Sequence, residues 1–313
     1  MTKTENTVLR DGIKAIMLAV FVMSLQAIAM KSFAEEMPIW QLTVLRSLLV
    51  IPVLIVACIR FAAFIDLRSD FIFWGVIRAF CMVLMNFTYY ASLPLLTVSA
   101  AATAYYISPI ITLIMSVFIV GERVNIIGVM AMFLAFFGTI LIIDISDANF
   151  NFLILLPMLS ALAYSCASII TRTKCTNAPP LFMSLLVHIA FLGSGVVASM
   201  IVGRYSDAIW AYTDYFFVAS PWVPISGKMW LVMVMLAAFN LTTHMGFAMA
   251  YRQAPASMIA IWEYTYLPIV TVMAFIMFGE LPEISTVLGM VAIILSGFLS
   301  LNSVALARRW RRC

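Results

Sequence analysis

Charge is scarce in this chain. Asp, Glu, Lys and Arg supply 10% of its 313 residues against 65% hydrophobic, with a mean hydropathy of +1.09. Soluble domains run roughly 25% charged and 45–50% apolar, so this shortage argues against a water-soluble fold. Histidine is limited to His188 and His244, with no HExxH pattern, and no metal site is expected. The cysteines, Cys58, Cys81, Cys166, Cys175 and Cys313, lack CxxC spacing and fall mostly in apolar runs. They read as packing residues, with neither a disulfide framework nor zinc. No Walker motif or Gly-rich nucleotide loop is present, which leaves no ATP motor in the chain and no expected cofactor. The net charge of +4 does not gather into a patch, so nucleic acid is not an expected partner. Stretches such as Ile110–Val120 and Val129–Ile143 do not alternate, which excludes a transmembrane β-barrel.

Long apolar runs are what the chain has instead. Bounded by charge, Pro or Gly, they place transmembrane helices near 13–33, 41–61, 72–92, 98–120, 125–143, 152–172, 181–203, 229–250, 256–278 and 284–302. Each approaches the roughly 20 residues that cross a bilayer. The expected fold class is therefore an all-α integral membrane protein of ten transmembrane helices. Lys3, Arg10 and Lys14 before the first run resemble the start of a signal peptide, but a counterpart of this segment later in the chain argues that it is retained.

Lys and Arg set the orientation. With both termini cytoplasmic, only Lys31, Arg204 and Lys228 of the 18 basic residues lie outside, Arg46 and Arg78 fall within spans, and all the others lie inside. This fits a bacterial inner membrane, with the bilayer itself as a partner. The long connection near 204–228 would face outward, its Trp210, Tyr212, Tyr215, Phe216, Phe217 and Trp222 suited to the interface.

The sequence also repeats itself. Met17, Ser24, Lys31 and Pro38 align with Met158, Ser165, Arg172 and Pro179. Ala91, Tyr105, Pro109, Gly121-Glu122 and Gly138 align with Ala250, Tyr264, Pro268, Gly279-Glu280 and Gly297. The halves are 1–150 and 151–313. Each would hold five spans, an odd number, so the second enters the membrane from the opposite side. Inverted repeats of this kind are a common construction of secondary transporters.

Several of these segments resemble the drug/metabolite transporter superfamily, specifically its EamA-type ten-helix transporters. The resemblance rests on Ala254-Pro255-Ala256-Ser257, Trp262-Glu263-Tyr264-Thr265-Tyr266-Leu267-Pro268 and Phe278-Gly279-Glu280-Leu281-Pro282. Met17-Leu18-Ala19 through Lys31, the Pro38, Gln41 and Arg46-Ser47 run, and Ser108-Pro109 leading to Gly121-Glu122-Arg123 carry it in the first half. The Glu-Tyr-Thr segment and the Gln and Arg-Ser run look most like the branch that includes riboflavin and S-adenosylmethionine transporters. Where that branch usually has a small residue or Pro-Phe before Glu-Tyr, this chain has Ile261-Trp262, so the substrate does not carry over.

A charge near the bilayer centre costs about 2.5–3.5 kcal/mol, which makes each intramembrane ionisable group a site candidate. Glu263 leads. With Trp262, Tyr264 and Tyr266 beside it, it suits a cationic or aromatic group, or a cycling proton. The alternative is that it only pairs with Arg46 or Arg78 to fix packing. Arg46 is the better candidate for an anionic group, and Arg78 reads as a topological anchor. His188 and His244 read as packing residues, whereas Ser24 and Asn86 are candidate cavity residues. Pro109 and Pro268 break matching helices after Tyr105-Tyr106 and after Tyr264 and Tyr266, which predicts a central cavity with two aromatic walls.

Together these features predict a secondary active transporter, not an enzyme, that moves a small organic metabolite by alternating access. Coupling to a proton or sodium ion and a homodimeric state stay open. The rival is a membrane-embedded enzyme acting on a lipid-like substrate. Because Arg308, Arg309, Arg311 and Arg312 follow the last span, a C-terminal alkaline phosphatase fusion should be inactive and a C-terminal fluorescent fusion bright. The reverse pattern overturns the span count and the orientation.

Overall fold

The computed structural model describes residues 3–33, 36–61, 69–92, 96, 98–143, 152–210, 216–279 and 281–310. Glu280 of the second Gly-Glu pair, the loop residues Tyr212 and Tyr215, and the terminal Arg311 and Arg312 lie outside the described residues. Among the described residues every regular element is helical. In chain order these are α1 (Lys3–Phe33), α2 (Ile39–Arg60), α3 (Ser69–Ser92), α4 (Val98–Tyr105), α5 (Ser108–Met115), α6 (Ile126–Ile142) and α7 (Leu155–Thr173). There follow α8 (Pro180–Trp210), the single turn α9 (Phe216–Ala219), α10 (Gly227–Gln253), α11 (Ala256–Glu263), α12 (Tyr266–Phe278) and α13 (Ile284–Trp310).

Among the described residues seven stretches are long and apolar enough to cross a membrane: Val8–Met30, Ile39–Arg60, Asp70–Ser92, Phe152–Thr173, Pro180–Tyr205, Gly227–Gln253 and Ala256–Phe278. Three shorter apolar helices, Ser108–Val120, Ile126–Ile142 and Ile284–Ser300, fall where further spans were expected. Two of the expected spans divide. The run at 98–120 becomes α4, α5 and a π-helical turn at Ser116–Val120, and the run at 256–278 becomes α11 and α12. Both end on a left-handed glycine, Gly121 at φ +75° and Gly279 at φ +70°, a conformation that a side chain disfavours.

Three boundaries differ from expectation, one of them the end of α13, which runs to Trp310 past the expected end at 302. Helix α1 begins at Lys3, well before the apolar run, because its polar first turns lie beyond any hydropathy window. Part of the expected loop at 204–228 is helical, since α8 continues to Trp210 past a non-helical Tyr205 and α9 follows. This region is tied to the start of α2. The Trp40 indole N–H donates to the Val218 carbonyl at 2.8 Å. The Gln41 amide pairs like a peptide with Val223, donating to its carbonyl at 2.8 Å and accepting its N–H at 2.9 Å.

The helices pack in cross-sequence pairs: α1 along α10, α3 along α7, α2 along α8 and α6 along α13. Helix α5 rests on α7 and α11, and α1 also meets α12. Large apolar side chains such as Phe118, Leu231 and Ile276 remain exposed on outward surfaces, as lipid contact requires. With no water to expel between such helices, close backbone approach supplies much of the attraction. At the α6–α13 crossing a Cβ on Gly138 would stand 2.7 Å from the Gly289 carbonyl oxygen, so the two backbones touch.

Gly138→Ala should therefore push α6 and α13 apart at a cost of about 1–3 kcal/mol. The purified variant should melt below wild type. Gly193→Ala, on α8 with no atom in reach of a new Cβ, should melt no lower. Equal melting of Gly138→Ala and wild type contradicts the close crossing.

Candidate functional site

Proline sets the local geometry. Pro268 offers no N–H to the Tyr264 carbonyl, and the chain tightens there into successive three-residue turns. Tyr264 N donates to Ile261 O at 3.3 Å, Thr265 N to Trp262 O at 3.2 Å, and Leu267 N to Tyr264 O at 3.1 Å. The matching turn near Pro109 sends Ile110 N to the Ile107 carbonyl at 3.0 Å, which leaves the Tyr106 carbonyl without its helical donor. The Tyr264 hydroxyl fills that place, donating to Tyr106 O at 2.9 Å. The carbonyl freed at the Pro109 break is thus satisfied from the other half, whereas the Tyr264 carbonyl at the Pro268 break is satisfied locally by Leu267 N.

Glu263 is the last residue of α11, 9% exposed. Its Oε1 accepts two phenols, Tyr164 from α7 at 2.7 Å and Tyr251 from α10 at 2.5 Å. Both address one oxygen, and among the described residues Oε2 accepts no hydrogen bond. Neither Arg46 nor Arg78 pairs with this carboxylate. The Arg78 Nε instead donates to Thr171 Oγ1 at 2.6 Å, and the Arg46 Nε is buried without a partner.

The tyrosines of the two breaks meet directly. Tyr106 stacks on Tyr264 at 6.2 Å and on Tyr266 at 6.4 Å, and Tyr105 lies 6.2 Å from Tyr164 and 5.3 Å from Tyr89. Phe247 stands edge-on to Tyr164. The tyrosines of both breaks thus gather in one aromatic cluster, which reaches Glu263 through Tyr164. A groove of about 700 Å³ lies elsewhere, between Ala27 and Ile28 of α1, the end of α6, α12 and Leu281 to Thr286. Trp262 is half-buried with its indole N–H unpartnered, its ring facing Gly297 of α13. Ser24 bonds only within its own helix, to Val20 O at 2.9 Å. Its aligned counterpart Ser165 reaches across, donating to Ser108 O at 2.9 Å. Asn86 is half-buried, and among the described residues neither it, Ser24 nor Arg46 bonds to Glu263.

Sequence reasoning missed Tyr164, Tyr251 and the role of Glu122. The Glu122 carboxylate, just beyond the π turn, caps α11. Its Oε1 accepts Ala256 N at 2.9 Å, and its Oε2 accepts Ser257 N at 3.1 Å and Ser257 Oγ at 2.6 Å. A carboxylate there satisfies orphan N–H groups and complements the helix dipole. Arg172 from the end of α7 pairs with it at 3.3 Å and also donates to the Arg252 carbonyl at 3.2 Å. The Gly-Glu pair was visible in sequence, but nothing in it named Ser257 as the partner.

A helical membrane bundle with a kinked, carboxylate-bearing helix can now be set beside known proteins. Residues 10–144 match the EamA-like transporter family. That EamA-like segment takes in α1 to α6, with Pro109 and Gly121-Glu122, and stops short of Glu263. A solved structure described simply as a crystal structure of a protein has the same fold across nearly everything: 18% identity, TM-score 0.75, 96% of this chain and 99% of that one. It is one of 29 solved chains that match, and at such identity the likeness concerns fold alone. No curated protein matches.

Replacing Glu122 with Ala removes a charged acceptor from two N–H groups and Arg172, a loss of about 1.5–3 kcal/mol. The variant should melt lower, and the amides of Ala256 and Ser257 should exchange faster by mass spectrometry. Unchanged exchange at both amides refutes the cap.

Proposed function

We propose that the chain is a secondary active transporter that carries a small organic metabolite across a bacterial inner membrane by alternating access. Its two five-helix halves, 1–150 and 151–313, are inverted repeats, and both termini are cytoplasmic. EamA-like transporters are membrane carriers, and the match to the first half supports the class. The distribution of Lys and Arg supports the orientation. The ten spans comprise the seven long apolar stretches and the three shorter helices.

The packing pattern favours the repeat. Exchanging α1 with α7, α2 with α8, α3 with α10, α4–α5 with α11–α12, and α6 with α13 turns the α1/α10 pair into α7/α3. It returns α2/α8 and α6/α13 to themselves and turns α1/α12 into α7/α5. Every one of these pairs is packed. Two halves that contact each other in interchangeable ways can trade conformations, which is the requirement for alternating access.

One observation carries the reading. Glu263 is a buried carboxylate at the kink of a membrane helix, held by two phenols and no cation, with one oxygen unbonded among the described residues. A purely structural carboxylate would be neutralised by a nearby Arg, and two are within the spans. An intramembrane charge kept unneutralised is costly, and a cationic group, sodium ion or proton that arrives and leaves repays that cost during transport. Substrate choice within the riboflavin and S-adenosylmethionine type of cargo belongs to this proposal as a panel to be assayed.

Glu263→Gln keeps an acceptor for both tyrosines while removing the charge. The variant should reach the membrane at wild-type level and melt within about 1–2 kcal/mol of wild type. Uptake should fall at least tenfold, measured in transport-deficient cells with labelled flavins, amino acids, quaternary amines and nucleoside derivatives. Wild-type uptake by this variant sinks the proposal.

A further inference from the structure

A second buried polar centre sits away from Glu263, and nothing in the transport scheme has used it. Arg46 on α2 and Arg78 on α3 are 5% and 3% exposed, and each keeps a buried N–H group without a partner among the described residues, Nε of Arg46 and Nη1 of Arg78. His188 on α8 and His244 on α10 are buried with ring centres 5.3 Å apart, and Phe191 covers both. The His188 imidazole is fixed at both nitrogens, 2.8 Å from the Ser184 carbonyl and 2.9 Å from Asn240 Oδ1. On either side of His188, α8 packs on both arginine-bearing helices: a Cβ on Gly195 would meet Val44 of α2, and Ala79 and Met82 of α3 cluster with Val187 and Phe191. Around them the buried hydroxyls of Ser47, Ser184 and Thr243 also lack partners.

The four helices that contribute this centre pack on one another, α8 against α2, α3 and α10. They carry almost no negative charge. Helices α2 and α10 contain no Asp or Glu, and α3 and α8 hold only Asp70 in a first turn and Asp207 near a last one. Guanidinium groups stay protonated in any protein environment, so two fixed positive charges lie buried without a carboxylate of these helices beside them. Buried polar groups are almost always bonded, and a concentration of unpaired donors around two cations is the arrangement that a bound anion completes.

We propose that Arg46 and Arg78, with His188 and His244, form an anion-binding subsite for a carboxylate or phosphate group of the transported molecule. The proposal rests on the transport reading and extends it. Arg78 bonds Thr171 of α7, and Tyr164 of the same helix bonds Glu263, so α7 links the cationic and anionic poles. The substrate class is accordingly an organic metabolite that bears an acidic group at one end and a cationic or aromatic group at the other. Arg46 is a binding residue here; His188 and Asn240 position the centre.

The test measures binding, not transport, and so stays separate from the fate of the transport reading. The full-length protein, purified in a neutral detergent, is titrated with sodium phosphate and with sodium benzoate at constant ionic strength, and its melting temperature is recorded. Wild type should gain several degrees from at least one of these anions, saturably. In Arg46→Gln the apparent Kd should rise at least tenfold, and the anion-free variant should melt no lower than wild type, because a buried uncompensated charge has gone. Arg46→Lys, which keeps the charge and loses the planar fork, should fall between the two. The same protein is also placed in bilayers with and without phosphatidylglycerol. Stabilisation by that lipid with none by either soluble anion would assign the centre to a headgroup and overturn the substrate subsite. No stabilisation by any anion, an equal gain in Arg46→Gln, or an Arg46→Gln that melts several degrees low without anion would each overturn it as well.

Discussion

In hydrocarbon, a hydrogen-bonding group that loses its helical partner has no water to turn to, and that constraint organises this protein. The break before Pro109 creates such a group, and its solution comes from the other half, whereas the break before Pro268 is satisfied locally by Leu267 N. The Tyr106 carbonyl is filled by the Tyr264 hydroxyl, and the Ser108 carbonyl by Ser165. The start of α11 leaves N–H groups that Glu122 satisfies from the end of the opposite broken helix. These bonds fasten α4–α5, α7 and α11–α12 into one polar and aromatic centre, while the remaining helices pack through small residues and side-chain volume. The carboxylate of Glu263 is stable in this centre because two phenols meet it, which ties α7 and α10 to the kink of α11.

Much of the architecture was legible in the sequence, because bilayer thickness imposes its own length scale on apolar runs. The described helices fall in every expected run, seven of them as stretches long and apolar enough to cross a membrane and three as shorter helices. The helix interruptions were legible too, since Pro and Gly act locally: Pro109, Pro268, Gly121 and Gly279 mark where α5 and α12 bend or stop. Chemical partners were not legible. Nothing near Tyr164 or Tyr251 in the chain announces a shared carboxylate, because the two lie 99 and 12 residues from Glu263 and meet it only through packing. The pairing of Glu263 with an arginine was a reasonable expectation from charge alone, yet Arg46 and Arg78 lie on helices that pack around α8. His188 and His244, read as isolated packing residues, sit ring to ring. Tyrosines of the two expected walls stack on one another, a contact that sequence alignment of Tyr105 with Tyr264 has no means to reveal.

The two polar centres divide the bundle by charge. Around α11 the buried ionisable group is acidic and surrounded by phenols; around α8 the buried groups are basic and surrounded by imidazole and hydroxyl. Among the described residues neither centre pairs its ionisable groups with those of the other.

The cross-sequence pairing has a consequence for biogenesis. Helix α1 lies along α10, with Gly246 against Ala19, two residues 227 positions apart. At a synthesis rate of about 5–20 residues per second, the first helix waits roughly 10–45 s for the surface that will cover it. During that interval its small-residue face is turned to lipid or to an insertion partner, and α3 waits in the same way for α7. The nascent chain must therefore spend most of its synthesis as an array of inserted but unmated helices, and assembly of the bundle is a late event that no half of the protein can complete alone.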